Sequence, residues 1–172
     1  KQTILNNANL EKINLSKAKI DKLCTLKEAD LQEAIMQHVK AEGVNFTNAN
    51  MKQVDLQYAD LKDANINKAN LRFANLKNAV VDGIKASGVD MTGVDLTDIS
   101  AKGVNFVNAQ LEGITAHRAN LEKAILEGAN LRGAKMHDAI LNEFNLAKAD
   151  LRNAELDHAT NTVNAGQLQS TR

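Results

Sequence analysis

The sequence predicts an all-β solenoid of square coils, and three observations predict it. An apolar residue recurs at every fifth position along nearly all of the 172 residues. A second apolar residue, most often Ala, stands two places before each of these centres, and proline is absent. In the stretch "LQYADLKDANINKANLRFANLKNA", Leu56 to Ala79, every centre is Leu or Ile.

The five-residue period excludes the regular elements one by one. Residues two apart lie about 200° apart around a helix, so centre and companion would point to opposite sides. On a strand, residues two apart share a face. The next pair starts three residues later, however, and would point to the other face. A chain that keeps both members of every pair inside must turn a corner every five residues. Corners of about 90° close a coil after four repeats, or 20 residues, and stacking such coils buries one continuous column of side chains. The count is consistent: centres run from Leu26 to Leu156, and all 27 are apolar. The 27 companions, Cys24 to Ala154, are apolar too, and 16 of them are Ala.

The elements follow in chain order. Residues 1–25 carry centres Leu5, Leu10, Leu15 and Ile20, one residue out of phase with Leu26 onward. One extra residue in "DKLCTL" accounts for the shift, and a bulge near 21–25 absorbs it. Residues 26–160 form the continuous stack. The period dies after Ala159 in "TNTVNAGQLQSTR", and residues 161–172 are expected to form a cap or a disordered tail. Eight of the nine glycines stand two after a centre, where a type II turn needs positive φ. Asn48, Asn78, Asn108 and Asn153 share that position and tolerate the same conformation.

Units such as "ADLKD", "ANLRF", "ANLEK" and "ADLRN" resemble the A(D/N)LXX unit of pentapeptide repeat proteins. The resemblance spans about residues 8 to 160. It implies a right-handed quadrilateral parallel β-helix, here of about seven to eight coils with four repeats each. It implies little about function, because that family includes DNA mimics that bind topoisomerases, bacterial effectors, and many members with no settled role.

Composition narrows the function. Lys and Arg number 21 and so do Asp and Glu, giving zero net charge. Direct nucleic-acid binding needs a basic surface and is not expected. A DNA-mimicking modulator of gyrase or another topoisomerase, the main alternative, would need stripes of negative charge. Stacked at 20-residue intervals, Glu42, Lys62, Asp82, Lys102 and Glu122 instead alternate in sign. The single cysteine, Cys24, sits at an inward position and forms no disulfide framework. No apolar run is long enough to span a membrane. The chain starts without Met and directly in the repeat, so it reads as a piece of a longer protein. The compartment expected by default is the cytoplasm. No phosphate loop, catalytic triad or cofactor motif appears, so an enzyme is not expected.

What remains is a binding scaffold that acts through an exposed face or edge on a protein partner; a structural spacer in a larger protein is a further alternative. One edge carries all four histidines and the only tyrosine: His38, Tyr58, Asp98, Arg118, His137 and their stacked neighbours. With Val80 beside Tyr58 and Phe73 one corner away, these residues form the candidate partner site. His117, His137 and His158 lie near Asp138 and Asp157 and are the weak candidates for a metal. A ladder projects side chains in parallel, whereas zinc needs converging ligands, so solvated corners are the expected outcome. Open coil ends also allow end-to-end self-association.

Overall fold

The computed structural model describes residues 3–159; the expected cap or tail at 161–172 lies outside them. Each coil lies on the next in parallel register, and the register carries the one-residue shift. Ile4, Asn9, Asn14 and Lys19 face Thr25, Asp30, Ile35 and Lys40, 21 residues on; from Thr25 facing Asn45 the offset is 20 throughout. We number the coils from the first (4–23) through the second (24–43), and so on at 20-residue steps to the seventh (124–143). A partial eighth follows. The four faces are numbered by the residue just before the centre: Thr25 starts the first face of the second coil, Asp30 the second, Ile35 the third and Lys40 the fourth.

A repeating set of backbone bonds builds the ladder. Leu26 N–H donates to the Asn45 carbonyl at 2.8 Å, Glu28 N–H to that of Thr47 at 3.0 Å, and Asn50 N–H to that of Ala29 at 3.0 Å. Ala29 N–H donates to the Leu26 carbonyl at 3.2 Å and closes the corner between them. Proline could not supply these donors. Centres and companions fill the axis completely: Phe46, Leu56, Ile66 and Leu76 are no more than 1% exposed. Small Ala86 lies next to Phe106 in one column, which keeps the packing dense. Phe144 takes a companion position normally filled by Ala, and is itself buried beside the C-terminal opening of the core.

The corners depart from the sequence expectation in an informative way. Glycine and asparagine do occupy the positive-φ position, but so do Glu33, His38, Tyr58, Phe73, Arg118 and many lysines, with φ between 55° and 62°. The interlocking ladder bonds hold both sides of each corner and override the intrinsic preference of the residue between them. The corner with the extra residue is built differently. Asp21 accepts from Cys24 N–H (2.7 Å) through its carbonyl and from Leu23 N–H (2.8 Å) through Oδ1. Leu23 is not among the positive-φ residues and lies exposed.

The Asn or Asp before each centre has a structural task. Its Oδ1 reaches over the centre and accepts the N–H of the first corner residue, as Asn70 does from Arg72 (3.2 Å) and Asp95 from Thr97 (2.9 Å). These side chains are acceptors for a donor that the ladder leaves unpaired. Where the position holds another residue, a side chain of the preceding coil can take over. Asn6 serves Lys27 behind Thr25, Asn67 serves Ser87 behind Lys85, and Asp82 serves Lys102 behind Ser100, at 3.0, 2.8 and 2.8 Å.

Candidate partner-binding edge

The corner between the third and fourth faces gathers five of the seven candidate partner residues, and a sixth, Val80, lies on the adjoining fourth face. His38 and Tyr58 sit at its positive-φ position in successive coils, which aims both rings outward at the ladder spacing. The rings stack with centroids 4.9 Å apart and planes 6° from parallel. Gln37 and Gln57 flank them, each donating to the Asp55 carboxylate, at 2.6 and 3.1 Å. Tyr58 stays 53% exposed despite its stack. Val80, on the fourth face, pairs in the ladder with Asp60 two residues after Tyr58, and is 37% exposed.

Further along the same corner, Arg118 grips Asp98 with Nε and Nη2, both at 2.7 Å. The guanidinium hydrogen bond holds the Asp98 carboxyl below the usual carboxylate range. His117 and His137 stack at 4.8 Å and 24°. His137 presents Nε2 to Glu155 at 3.0 Å and Nδ1 to Asp157 at 3.4 Å. His117 Nδ1 is buried and, among the described residues, makes no hydrogen bond. The two rings lie over one another rather than converging on a point, and His158 is exposed at the end of the column. Among the described residues no group of three or more His, Cys, Asp or Glu is placed to hold a metal ion.

Phe73 is the candidate that the structure does not bring together with the others. It stands on the corner between the second and third faces, and its ring covers Gly93: a Cβ added there would stand 2.8 Å from two ring carbons. The Arg72 guanidinium lies 5.7 Å from the ring centroid. The pairing was legible only by reading columns, because Gly93 is the first glycine of a run (Gly93, Gly113, Gly133) directly following an aromatic.

Two hollows open on the surface of the described residues. One, of about 70 Å³, opens on the core's C-terminal end, lined only by apolar side chains, including Leu126, Phe144 and Leu156. The other, of about 280 Å³, lies beside the extra residue. Lys19, Asp21, Lys22, Lys40, Glu42 and Asp60 line it along with Ile20, with no hydroxyl, thiol or imidazole among them. Cys24 is a buried core residue, and that burial pushes its thiol pKa up. Among the described residues no helix is long and apolar enough to cross a membrane.

A square parallel β-solenoid with short corners defines a repeat protein of the β-helix class. The chain belongs to the pentapeptide repeat family: the model of pentapeptide repeats matches it in eight copies, over 24–63, 45–83, 55–93, 117–153 and 129–160. Members of that family are generally structural or binding proteins. No curated protein matches the chain. Among solved structures, a pentapeptide repeat protein of the Arabidopsis thaliana thylakoid lumen is 27% identical with a TM-score of 0.55, covering 58% of this chain and 68% of its own. QnrB1, a plasmid-mediated fluoroquinolone resistance protein, is 18% identical with a TM-score of 0.51 in a trypsin-treated form, covering 96% of this chain and 92% of its own. HetL, involved in heterocyst differentiation regulation in the cyanobacterium Nostoc sp. strain PCC 7120, is 24% identical with a TM-score of 0.44, covering 92% and 86%.

Proposed function

We propose that this chain is a non-catalytic scaffold that binds a protein partner through the fourth face and the corner leading to it. The observation that carries the reading is the stacked His38–Tyr58 pair with Val80 beside it: exposed aromatic and apolar surface gathered at one place on the edge. Tyrosine in such a setting is a typical binding anchor, because it offers much contact area for little entropy loss. Asp98, Arg118 and His137 give the edge a polar rim, and Phe73 marks the neighbouring corner.

The alternating charges support contact with a mixed protein surface rather than imitation of a nucleic acid. The test is capture of partners from a lysate by the intact chain and by variants. Tyr58→Ala with Val80→Ser should lower capture about tenfold or more. Phe73→Ala alone should leave it unchanged. Capture lost with Phe73→Ala but retained in the double variant would move the site to the other corner. Capture insensitive to all three substitutions would refute the reading.

A further inference from the structure

The fourth face carries a charge pattern that is complementary to itself when reversed. Four columns run along it and its two corners. The corner before it reads His38, Tyr58, Asn78, Asp98, Arg118, Asp138 from the second coil to the seventh. The corner after it reads Glu42, Lys62, Asp82, Lys102, Glu122, Asn142 at its first position, and Gly43, Asp63, Gly83, Gly103, Lys123, Glu143 at its second. Between them stand Lys40, Asp60, Val80, Ser100, Asn120 and Ile140.

We propose that this face binds a second copy of the chain, antiparallel, about a two-fold axis between the fourth and fifth coils. The proposal rests on the reading of this face as an interaction surface and names its occupant. A two-fold axis lying in the interface, at right angles to the coil stack, sets the second coil against the partner's seventh, the third against the sixth, and the fourth against the fifth. It keeps each corner against the same corner of the other copy. Lys62 then meets Glu122, Asp63 meets Lys123, and Asp82 meets Lys102, each twice. On the other corner His38 meets Asp138, Asn78 meets Asp98, and Tyr58 meets the Arg118 guanidinium, a favourable partner for an aromatic face. Val80 meets Ser100 at the centre, where Gly83 opposes Gly103 and lets the backbones approach. The three matches between formally charged side chains, Lys62–Glu122, Asp63–Lys123 and Asp82–Lys102, are all opposite in sign, while Lys40 and Asp60 meet the uncharged Ile140 and Asn120.

The register is selected by the same charges. Moving the axis onto the fourth coil sets Lys62 against Lys102 and Glu42 against Glu122. Like charges so placed oppose association, so the pattern discriminates against the neighbouring alignment. Arg118 keeps its bidentate pair with Asp98 and offers the partner's Tyr58 only the face of its guanidinium, whereas the lysine pairs on the other corner are loose. Lys102 and Glu122 are 3.9 Å apart, and Lys123 and Glu143 are 4.0 Å apart, all on the surface. Six coils at about 4.8 Å, on a side at most about 17 Å long, give about 500 Å² per copy. The total of about 1,000 Å² stands at the threshold of a specific contact and gives a weak, salt-sensitive dimer.

Charge reversal tests this directly, with molar mass followed by light scattering over a concentration series. The intact chain should pass from monomer to dimer, and added salt should shift the midpoint to higher concentration. Asp63→Lys alone places two like pairs in the dimer, and so does Lys123→Glu alone. Each should weaken association about tenfold or more. Mixing the two variants should restore a dimer, because each then supplies the charge that the other needs. The chain carrying both substitutions should dimerise by itself, an outcome that a purely structural role for either residue would not produce. An intact chain that stays monomeric overturns the proposal; if Tyr58-dependent capture of a different protein persists, the reading of the face as a binding surface still stands. A dimer indifferent to both reversals and to Tyr58→Ala lies on another surface and also overturns it.

Discussion

Arg152 and Asp150 show how much a corner side chain can control when its partner is two residues away. Nε and Nη2 of Arg152 approach both Asp150 carboxylate oxygens, at distances from 2.6 to 3.1 Å. The same carboxylate accepts the Arg152 N–H at 3.2 Å. Led by the guanidinium hydrogen bonds, these contacts lower the Asp150 pKa to about 2. The folded value lies below the unfolded one, about 3.9. The contribution is therefore complete above that unfolded value and is lost as pH falls through about 2. A side-chain NMR titration should give Asp150 a midpoint of about 2, and Arg152→Ala should return it to the ordinary carboxylate range. At this scale the sequence was partly readable. Asp150 was visibly outward, but nothing in the five-residue period says that its acceptor atoms turn back onto the next corner.

The corner is the element of this fold, and its chemistry divides into backbone strain and side-chain cover. Gly113 has φ +65° and nothing within 4 Å of the place a Cβ would take. Gly113→Ala should therefore cost only the left-handed strain, about 1 kcal/mol. Gly93 has φ +69° and lies under the Phe73 ring, so Gly93→Ala must also displace that ring. It should cost clearly more, and in a Phe73→Ala background the excess should vanish. Denaturant midpoints of the four variants and the parent chain measure this as a double-mutant cycle. The glycine positions were legible because their period matches the centres. The use of positive φ by Tyr58 and Phe73 was not, since their own preferences oppose it and only the bonded coils on either side impose it.

For the whole molecule, stability depends on where a residue stands in the stack. Leu76 is 1% exposed with full coils above and below, whereas Leu15 and Leu156 are only partly buried at the two ends of the described residues. Leu76→Ala should cost about 2–5 kcal/mol, and the equivalent change at Leu15 or Leu156 distinctly less, as read from unfolding free energies. The sequence by itself determined the coil length, the inward and outward positions, and the place of the extra residue. Each follows from a local rule: which residues tolerate burial, and how often the chain must turn to keep them inside. Only the tertiary structure decided that His38 stacks on Tyr58, that Phe73 covers Gly93, and that Asn67 serves Ser87. Those pairs lie 20 residues apart and meet through rotamers chosen by contact across coils. A column register can place such residues side by side, but the direction each side chain takes is settled by the atoms it meets there.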